Sequence, residues 1–205
     1  MNIEEINTKL ESASPKQIID WALSVDGKAI VTTNFGPFES VILHLATQSD
    51  PDVRVVWIDS GYSIRKTYKF AEKLITDLKL NVEVYTPRVT VSRQDTVFGG
   101  VPAVDAPTHK DFTETFKLEP FRRAMETEQP DVWLTAIRKD QTEFRKNQKI
   151  VARTSSGLLK VAPLLNWTEK EMRAYVEEHK IPNEEDYYDP TKVISNRECG
   201  LHLEN

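Results

Sequence analysis

Apolar residues recur along this chain at two alternating periods, one suited to strands and one to helices. Ile18, Ile19, Ala22 and Leu23 fall at helical spacing behind Ser14-Pro15-Lys16-Gln17. In that start, serine caps, proline takes the first helical position and glutamine closes a capping box. Residues 29–33, Ala-Ile-Val-Thr-Thr, then predict a buried strand, which Asn34-Phe35-Gly36-Pro37-Phe38 breaks. Residues 39–48 return to the helical period, with Val41, Ile42, Leu45 and Ala46 apolar. The unit repeats as a strand over 53–58, a turn at Asp59-Ser60-Gly61, a long helix over 64–80 and a third strand over 82–85. Further on, the pattern predicts a helix over 111–128, a strand over 132–136 and two short strands over 149–152 and 158–162. A last helix over 168–179 opens with a second capping box, Thr168 to Glu171, and stops before Pro182.

Strands alternating with helices predict an α/β fold, a parallel twisted sheet with helices on both faces. Residues 1–182 form one domain on this reading. Residues 183–205 are acidic, aromatic and aperiodic at first, and are expected to form a flexible C-terminal tail. Residues 87–110 show no clear period and contain Gly99-Gly100 and three prolines, so a functional loop and a disordered segment both fit them.

Composition narrows the functional classes. The formal net charge of −5 gives no general attraction to nucleic acid, so any anion site must be a local basic cluster. No apolar run approaches the roughly 20 residues needed to span a bilayer. The acidic start Met1-Asn2-Ile3-Glu4-Glu5 lacks a secretory signal. Cys199 is the only cysteine, so the chain can close no internal disulfide, and a cytoplasmic setting is expected. One cysteine also cannot build a thiolate zinc or iron–sulfur site. The four histidines show no metal-ligand spacing, and His44, within an apolar helix, is expected to be a packing residue. Neither a nucleophile elbow nor a GxxxxGK[ST] loop is present.

Ligands of open parallel sheets bind beyond the carboxyl ends of the strands. Three stretches end strands here. At Thr33-Asn34-Phe35-Gly36, Gly36 allows close backbone approach, and the following helix is expected to offer free N–H groups to a phosphate or sulfate. At Asp59-Ser60-Gly61, a carboxylate and a hydroxyl could bond ribose or base, or simply cap the next helix. Beyond the Trp133 strand, Arg138, Lys139, Arg145 and Lys146 gather four basic residues in nine positions. Arginine holds phosphate and sulfate through paired, charge-assisted hydrogen bonds, although a solvated charge run has the same composition. If these charges are exposed, alanine substitution should change fold stability little. The tail adds Cys199 in a polar setting, with Arg197 and His202 near enough in sequence to favour a thiolate. An incidental surface thiol and a redox thiol are both open on these grounds.

Taken together, these stretches resemble the phosphoadenylyl-sulfate (PAPS) and adenylyl-sulfate (APS) reductases over nearly the whole chain. Thr33-Asn34-Phe35-Gly36 is similar to the family's Ser-Ser-Phe-Gly loop. Asp59-Ser60-Gly61-Tyr62 with Thr67-Tyr68-Lys69-Phe70 is similar to its Asp-Thr-Gly-Tyr and Thr-Tyr-Arg-Phe segments. Lys117-Leu118-Glu119-Pro120 matches Lys-Val-Glu-Pro, and Arg138-Lys139-Asp140-Gln141 with Arg145 resembles the Arg-Arg-Glu-Gln…Arg clamp. Arg197-Glu198-Cys199-Gly200-Leu201-His202 matches the C-terminal catalytic motif and is the most specific of the set.

The resemblance implies an adenine-nucleotide α-hydrolase-like (PP-loop) fold. It also implies a two-step reaction in which Cys199 takes the sulfonate and a thioredoxin or glutaredoxin thiol releases sulfite. It makes Thr33, Asn34, Gly36, Asp59, Ser60, Gly61, Arg138, Lys139, Arg145 and His202 the expected substrate-binding residues. Reduced thioredoxin or glutaredoxin is the expected electron donor, with no iron–sulfur cluster and no metal. Cluster-free members generally use PAPS, so PAPS is the expected substrate, thioredoxin the expected partner, and a homodimer a further expectation. Neither nucleic acid nor membrane is expected as a partner. The chain departs from the family at Pro37-Phe38-Glu39-Ser40, at Lys139 in place of an arginine, and in a shorter segment between His179 and Cys199. These departures keep an alternative open: a non-catalytic or altered-specificity nucleotide-binding protein of the same superfamily.

Overall fold

The computed structural model describes residues 1–192. In chain order the elements are α1 (Ile3–Leu10), α2 (Pro15–Leu23), β1 (Ala29–Thr33), α3 (Glu39–Ser49), β2 (Arg54–Ile58), α4 (Arg65–Leu78), β3 (Asn81–Tyr85) and α5 (Val91–Phe98). Then α6 (His109–Thr113) runs through a π-helical turn (Glu114–Leu118) into α7 (Glu119–Glu128). They are followed by β4 (Val132–Leu134), α8 (Glu143–Lys146), β5 (Val151–Arg153), β6 (Leu159–Val161), α9 (Glu169–His179) and a 3₁₀ turn (Pro190–Lys192). Both expected capping boxes form, Ser14 with Gln17 and Thr168 with Glu171.

The six strands make one sheet in the order β3-β2-β1-β4-β6-β5. Every pairing is parallel except β5 with β6, which is an antiparallel hairpin. The all-parallel expectation fails only there, because the Ser155-Ser156-Gly157 turn is too short for a crossover. The exposed side of β5 is met by α1, where the Asn7 amide bonds both Val151 O and Val151 N at 2.8 and 3.0 Å. A side chain thus mimics a neighbouring strand at the sheet edge.

Strand residues alternate between two cores. Val31, Val55, Trp57, Val132 and Leu134 pack into the larger one, with apolar residues of α2, α3, α4 and α9. Ile30, Val56, Ile58 and Trp133 face the smaller one, with Ala124, Phe121 and Met125 of α7. The sheet is therefore covered on both faces, as parallel sheets require. Trp133 also donates its indole N–H to Thr32 Oγ1 at 2.9 Å, which ties β4 to β1 on the smaller face.

Residues 87–110 differ from the aperiodic reading. They contain α5, capped by the Thr90 side chain at its start and by Gly99, at φ 80°, at its end. No residue of α5 is buried, and Val97 and Phe98 are 62% and 60% exposed, so an apolar period had nothing to mark.

His44 of α3 sits against α9 and bonds the Tyr175 hydroxyl through Nδ1 at 2.8 Å. Its ring lies 5.2 Å from that of His179, and Gln48 approaches its other nitrogen. Burial, with a smaller contribution from His179, holds the His44 pKa below the usual histidine value. The unfolded chain therefore takes up this proton more readily than the folded one. The His44 share of stability is full above the ordinary histidine pKa of about 6.5 and is lost as pH falls below it. In His44→Gln, the drop in Tm between about pH 7.5 and about pH 5.5 should be shallower than in the wild type. Identical slopes in a thermal melt series would refute this assignment.

Candidate active site

The chain winds outward from β1 through β2 to β3, then returns to place β4 on the other side of β1. The segments leaving β1 and β4 therefore diverge, and a crevice opens between them at the carboxyl ends of the strands. A cavity of about 80 Å³ lies there, lined among others by Thr33, Asn34, Glu39, Arg138, Gln141 and Arg145.

The β1 side of the crevice is closed upon itself. Phe35 and Phe38 both adopt left-handed backbone conformations, at φ 52° and 63°. Their rings are buried, and burial of these large side chains holds the turn in that unusual geometry. The turn points the Asn34 and Gly36 N–H groups to one spot, and the Glu39 carboxylate fills it. Glu39 Oε2 accepts from Asn34 N at 2.7 Å, from Gly36 N at 3.2 Å and from Thr33 Oγ1 at 2.7 Å. Phe38 N donates instead to Asn183 Oδ1 at 2.8 Å. The expectation of free amides at this loop is thus corrected: a carboxylate from the first turn of α3 folds back on them. The approach to Gly36 is likewise taken by the Tyr187 ring and by Glu39 Oε1, which a Cβ there would meet at 3.5–3.6 Å.

The β4 side is cationic and buried. Arg138 and Arg145 are 6% and 5% exposed, so the expectation of exposed charges fails for both. Arg138 donates Nε–H to Asp140 Oδ1 at 3.0 Å, and its guanidinium lies 5.8 Å from the Phe38 ring centre. Arg145 sits on α8, which Thr142 caps, and donates to the Gln141 side chain. The same Gln141 oxygen accepts from Arg138 N at 3.0 Å. Gln141 thus links the two arginines, a role that charge patterning could not reveal. Lys139 parts from them: it is half-buried and faces a separate surface hollow with Lys146, Lys149 and Asn7.

The β2 end is mostly engaged in its own turn. Asp59 Oδ1 accepts from Gly61 N at 2.9 Å and from the Tyr68 hydroxyl at 2.8 Å, and Ser60 Oγ accepts from Tyr62 N at 3.3 Å. Burial, reinforced by Asp59, raises the Tyr68 pKa, which keeps the phenol a donor. Gly61 has φ 77°, and a Cβ there would come within 2.8 Å of Val91. Ser60 shares a small pocket with Asn34, Lys117, Tyr187 and Asp189.

Those last residues expose a part of the site that sequence reading missed. Residues 183–192 run as a strap over the β1 loop and the end of β2, beside the crevice. Arg173 holds Glu185, Lys66 holds Asp186, and a buried Lys117–Asp189 ion pair fixes the far end. His109 Nε2 lies 3.3 Å from Pro190 O beside it. Lys117 points inward from the π-helical turn, which offsets its register from the flanking helices. Cys199 and His202 lie outside the described residues. Among the described residues, no group of three potential metal ligands occurs and no helix is long and apolar enough to cross a membrane.

Sheet order and crevice define a doubly wound α/β protein with a cationic wall where the strand order reverses. A family model described as the phosphoadenosine phosphosulfate reductase domain matches residues 28–189, and the chain belongs to that family. It is 32% identical over 228 residues to the phosphoadenosine 5′-phosphosulfate reductase of Synechocystis sp., covering 99% of this chain and 91% of that one. The enzyme of the same name from Synechococcus sp. is 34% identical, over 88% and 78% of the two chains. Among solved structures, the PAPS reductase of Candida auris, a phosphate complex, superposes with a TM-score of 0.78 at 25% identity, covering 89% and 88%. The U34-tRNA thiolase NcsA of Methanococcus maripaludis shares the fold, with a TM-score of 0.62 at 12% identity, covering 88% of this chain and 67% of that one.

Removing Lys117 takes from the buried Asp189 carboxylate the ammonium it pairs with. Lys117→Met should cost roughly 3–5 kcal/mol in urea unfolding. The double variant Lys117→Met/Asp189→Asn, which removes both charges and keeps an acceptor for Thr191, should recover most of that loss. A single variant within about 1 kcal/mol of wild type would show that the pair does not anchor the strap.

Proposed function

We propose that this chain reduces PAPS to sulfite and adenosine 3′,5′-bisphosphate, as the name of its family suggests. The observation that carries this reading is the pair of buried guanidiniums, Arg138 and Arg145, on one wall of the crevice at the reversal of strand order. Two guanidiniums set along one crevice wall suit a multiply anionic ligand, which they can hold through paired, charge-assisted hydrogen bonds, and PAPS is multiply anionic.

In the proposed first step the Cys199 thiolate attacks the sulfonate sulfur. An S–S bond forms, the S–O bond to the nucleotide breaks, and its electron pair leaves with the 5′-phosphate. Arg138 and Arg145 neutralise the negative charge that grows on that phosphate. In the second step a thiolate of reduced thioredoxin or glutaredoxin attacks the Cys199 sulfur and expels sulfite. The donor's other thiolate then frees Cys199, leaving the donor as a disulfide two electrons poorer. Cys199 is the chain's only cysteine, so the resolving thiols come from another molecule and no four-cysteine cluster can be built within the chain. In this reading Asn34 and Ser60, which line one small pocket beside the crevice, contact the nucleotide's sugar or base, and Thr33 and Gly36 act through the loop. Asp59 and Gly61 shape the neighbouring turn. In this reading residues 183–205 carry Cys199 to the crevice, with His202 beside it in the motif, and Lys139 contributes only long-range charge.

Cys199→Ser should abolish sulfite release from PAPS in the presence of reduced thioredoxin, while product-nucleotide binding persists. Wild-type protein given PAPS without a donor should gain the mass of one SO₃ on the peptide containing Cys199. Sulfite release by the serine variant at the wild-type rate would overturn the covalent mechanism. Arg138→Ala and Arg145→Ala should each weaken adenosine 3′,5′-bisphosphate binding by about 1.5–3 kcal/mol, the scale of hydrogen bonds to charged groups. Because both side chains are buried, stability should also fall, most clearly for Arg138→Ala, which leaves Asp140 with the Glu169 N–H but without its guanidinium. Calorimetric titration and urea unfolding read the two effects separately, and unchanged affinity in both variants would remove the arginines from the site.

A further inference from the structure

Three donors of the β1 loop converge on one oxygen atom, and that atom belongs to the protein. The Asn34 and Gly36 amides flank Phe35, whose left-handed backbone brings successive N–H groups onto one side of the chain. Such a concavity binds anions because its dipoles are fixed in place before the ligand arrives. Here Glu39 Oε2 takes both amides and the Thr33 hydroxyl. Glu39 is half-buried, and its carboxylate lines the same cavity as Arg138 and Arg145. The cavity therefore has one wall already satisfied by an anion and one wall that is cationic.

We propose that Glu39 determines specificity by acting as a built-in occupant of the β1 loop, so that polyphosphate groups are refused there and a ligand's anionic groups are directed to the Arg138–Arg145 wall. The proposal rests on the preceding functional reading only for the identity of the natural ligand. A phosphate that entered the loop would have to evict the carboxylate, which would give up its three hydrogen bonds there. A phosphate that came beside the loop without evicting it would meet a like charge at short range. Either route is unfavourable, whereas the arginine wall offers opposite charge. A carboxylate tied to the adjoining helix by one side chain reaches the amides at no cost in association entropy, so it outcompetes a free anion of similar hydrogen-bonding power.

The test uses the full chain and inorganic pyrophosphate as the probe. By calorimetric titration, Glu39→Ala should bind pyrophosphate at least about tenfold more tightly than wild type, the factor expected from one charge-assisted hydrogen bond gained. Glu39→Gln keeps an acceptor for the amides but removes the charge, so its gain should be smaller, and it covers the case in which the alanine variant folds poorly. In ¹H–¹⁵N spectra, pyrophosphate should move the Asn34 and Gly36 amide signals in Glu39→Ala and leave them in place in wild type. ATP should show the same contrast. Failure of both variants to gain affinity, or equal movement of those two signals in wild type, would overturn the proposal. Sulfite release by wild-type protein from PAPS is measured in parallel. Its absence alongside a pyrophosphate gain would count against the reductase reading and support the role of Glu39. Its presence without any gain would do the reverse.

Discussion

Everything at the candidate site depends on β1 having a parallel neighbour on each side that comes from a different part of the chain. β2 follows β1 at once, but β4 arrives only after about a hundred further residues. Parallel neighbours need crossovers, and crossovers of opposite sense leave the two strand ends with nothing between them. The backbone of that gap is set by the sheet. The loops that line it are free to differ, and they do: one is amide-rich and the other arginine-rich. The Trp133–Thr32 hydrogen bond fixes the spacing of the two strands just below the gap.

Most of this architecture is visible in the order of residues, because it follows from local rules. Strand β1 ends where the β-branched run ends, and α2 and α9 begin at their capping boxes. Helices that bury little left no such mark. α5 has no buried residue, and α8 is a single turn whose existence depends on the Thr142 cap. α1 depends on its Asn2 cap and on a tertiary contact through Asn7. Within the site, sequence identified the basic cluster but not which of its members turn inward. Arg138 and Arg145 are drawn in by Asp140, Gln141 and Phe38, while Lys139, on the next residue, faces the other way. The pairing of Lys117 with Asp189 joins positions far apart in sequence, with no shared periodicity to announce it.

The electrostatics of the crevice differ from what a count of charges suggests. Two arginines, Glu39 and Asp140 occur together there, so the local sum is near neutral. What matters is direction. Glu39 is bound by two backbone amides and the Thr33 hydroxyl rather than by a guanidinium, so its negative charge stays on the β1 side of the crevice, across from the arginine wall. Asp140 bonds Arg138 through Nε, and the guanidinium's other donors extend beyond that contact. An anion approaching this wall meets fixed donors and needs little rearrangement of the protein.

Phe38, the residue just before α3, has a further consequence. Its ring lies 5.8 Å from the guanidinium of Arg138 and 5.1 Å from that of Arg173. Arg173 in turn grips Glu185 of the strap, and the Phe38 amide is held by Asn183. One aromatic ring thus stands between the crevice-lining Arg138 and the strap beside it. Free-energy coupling is reciprocal. To whatever extent a docked strap steadies Arg138 and tightens its grip on an anion, the anion must steady the strap by the same factor. Closure and occupancy are then two readings of one equilibrium.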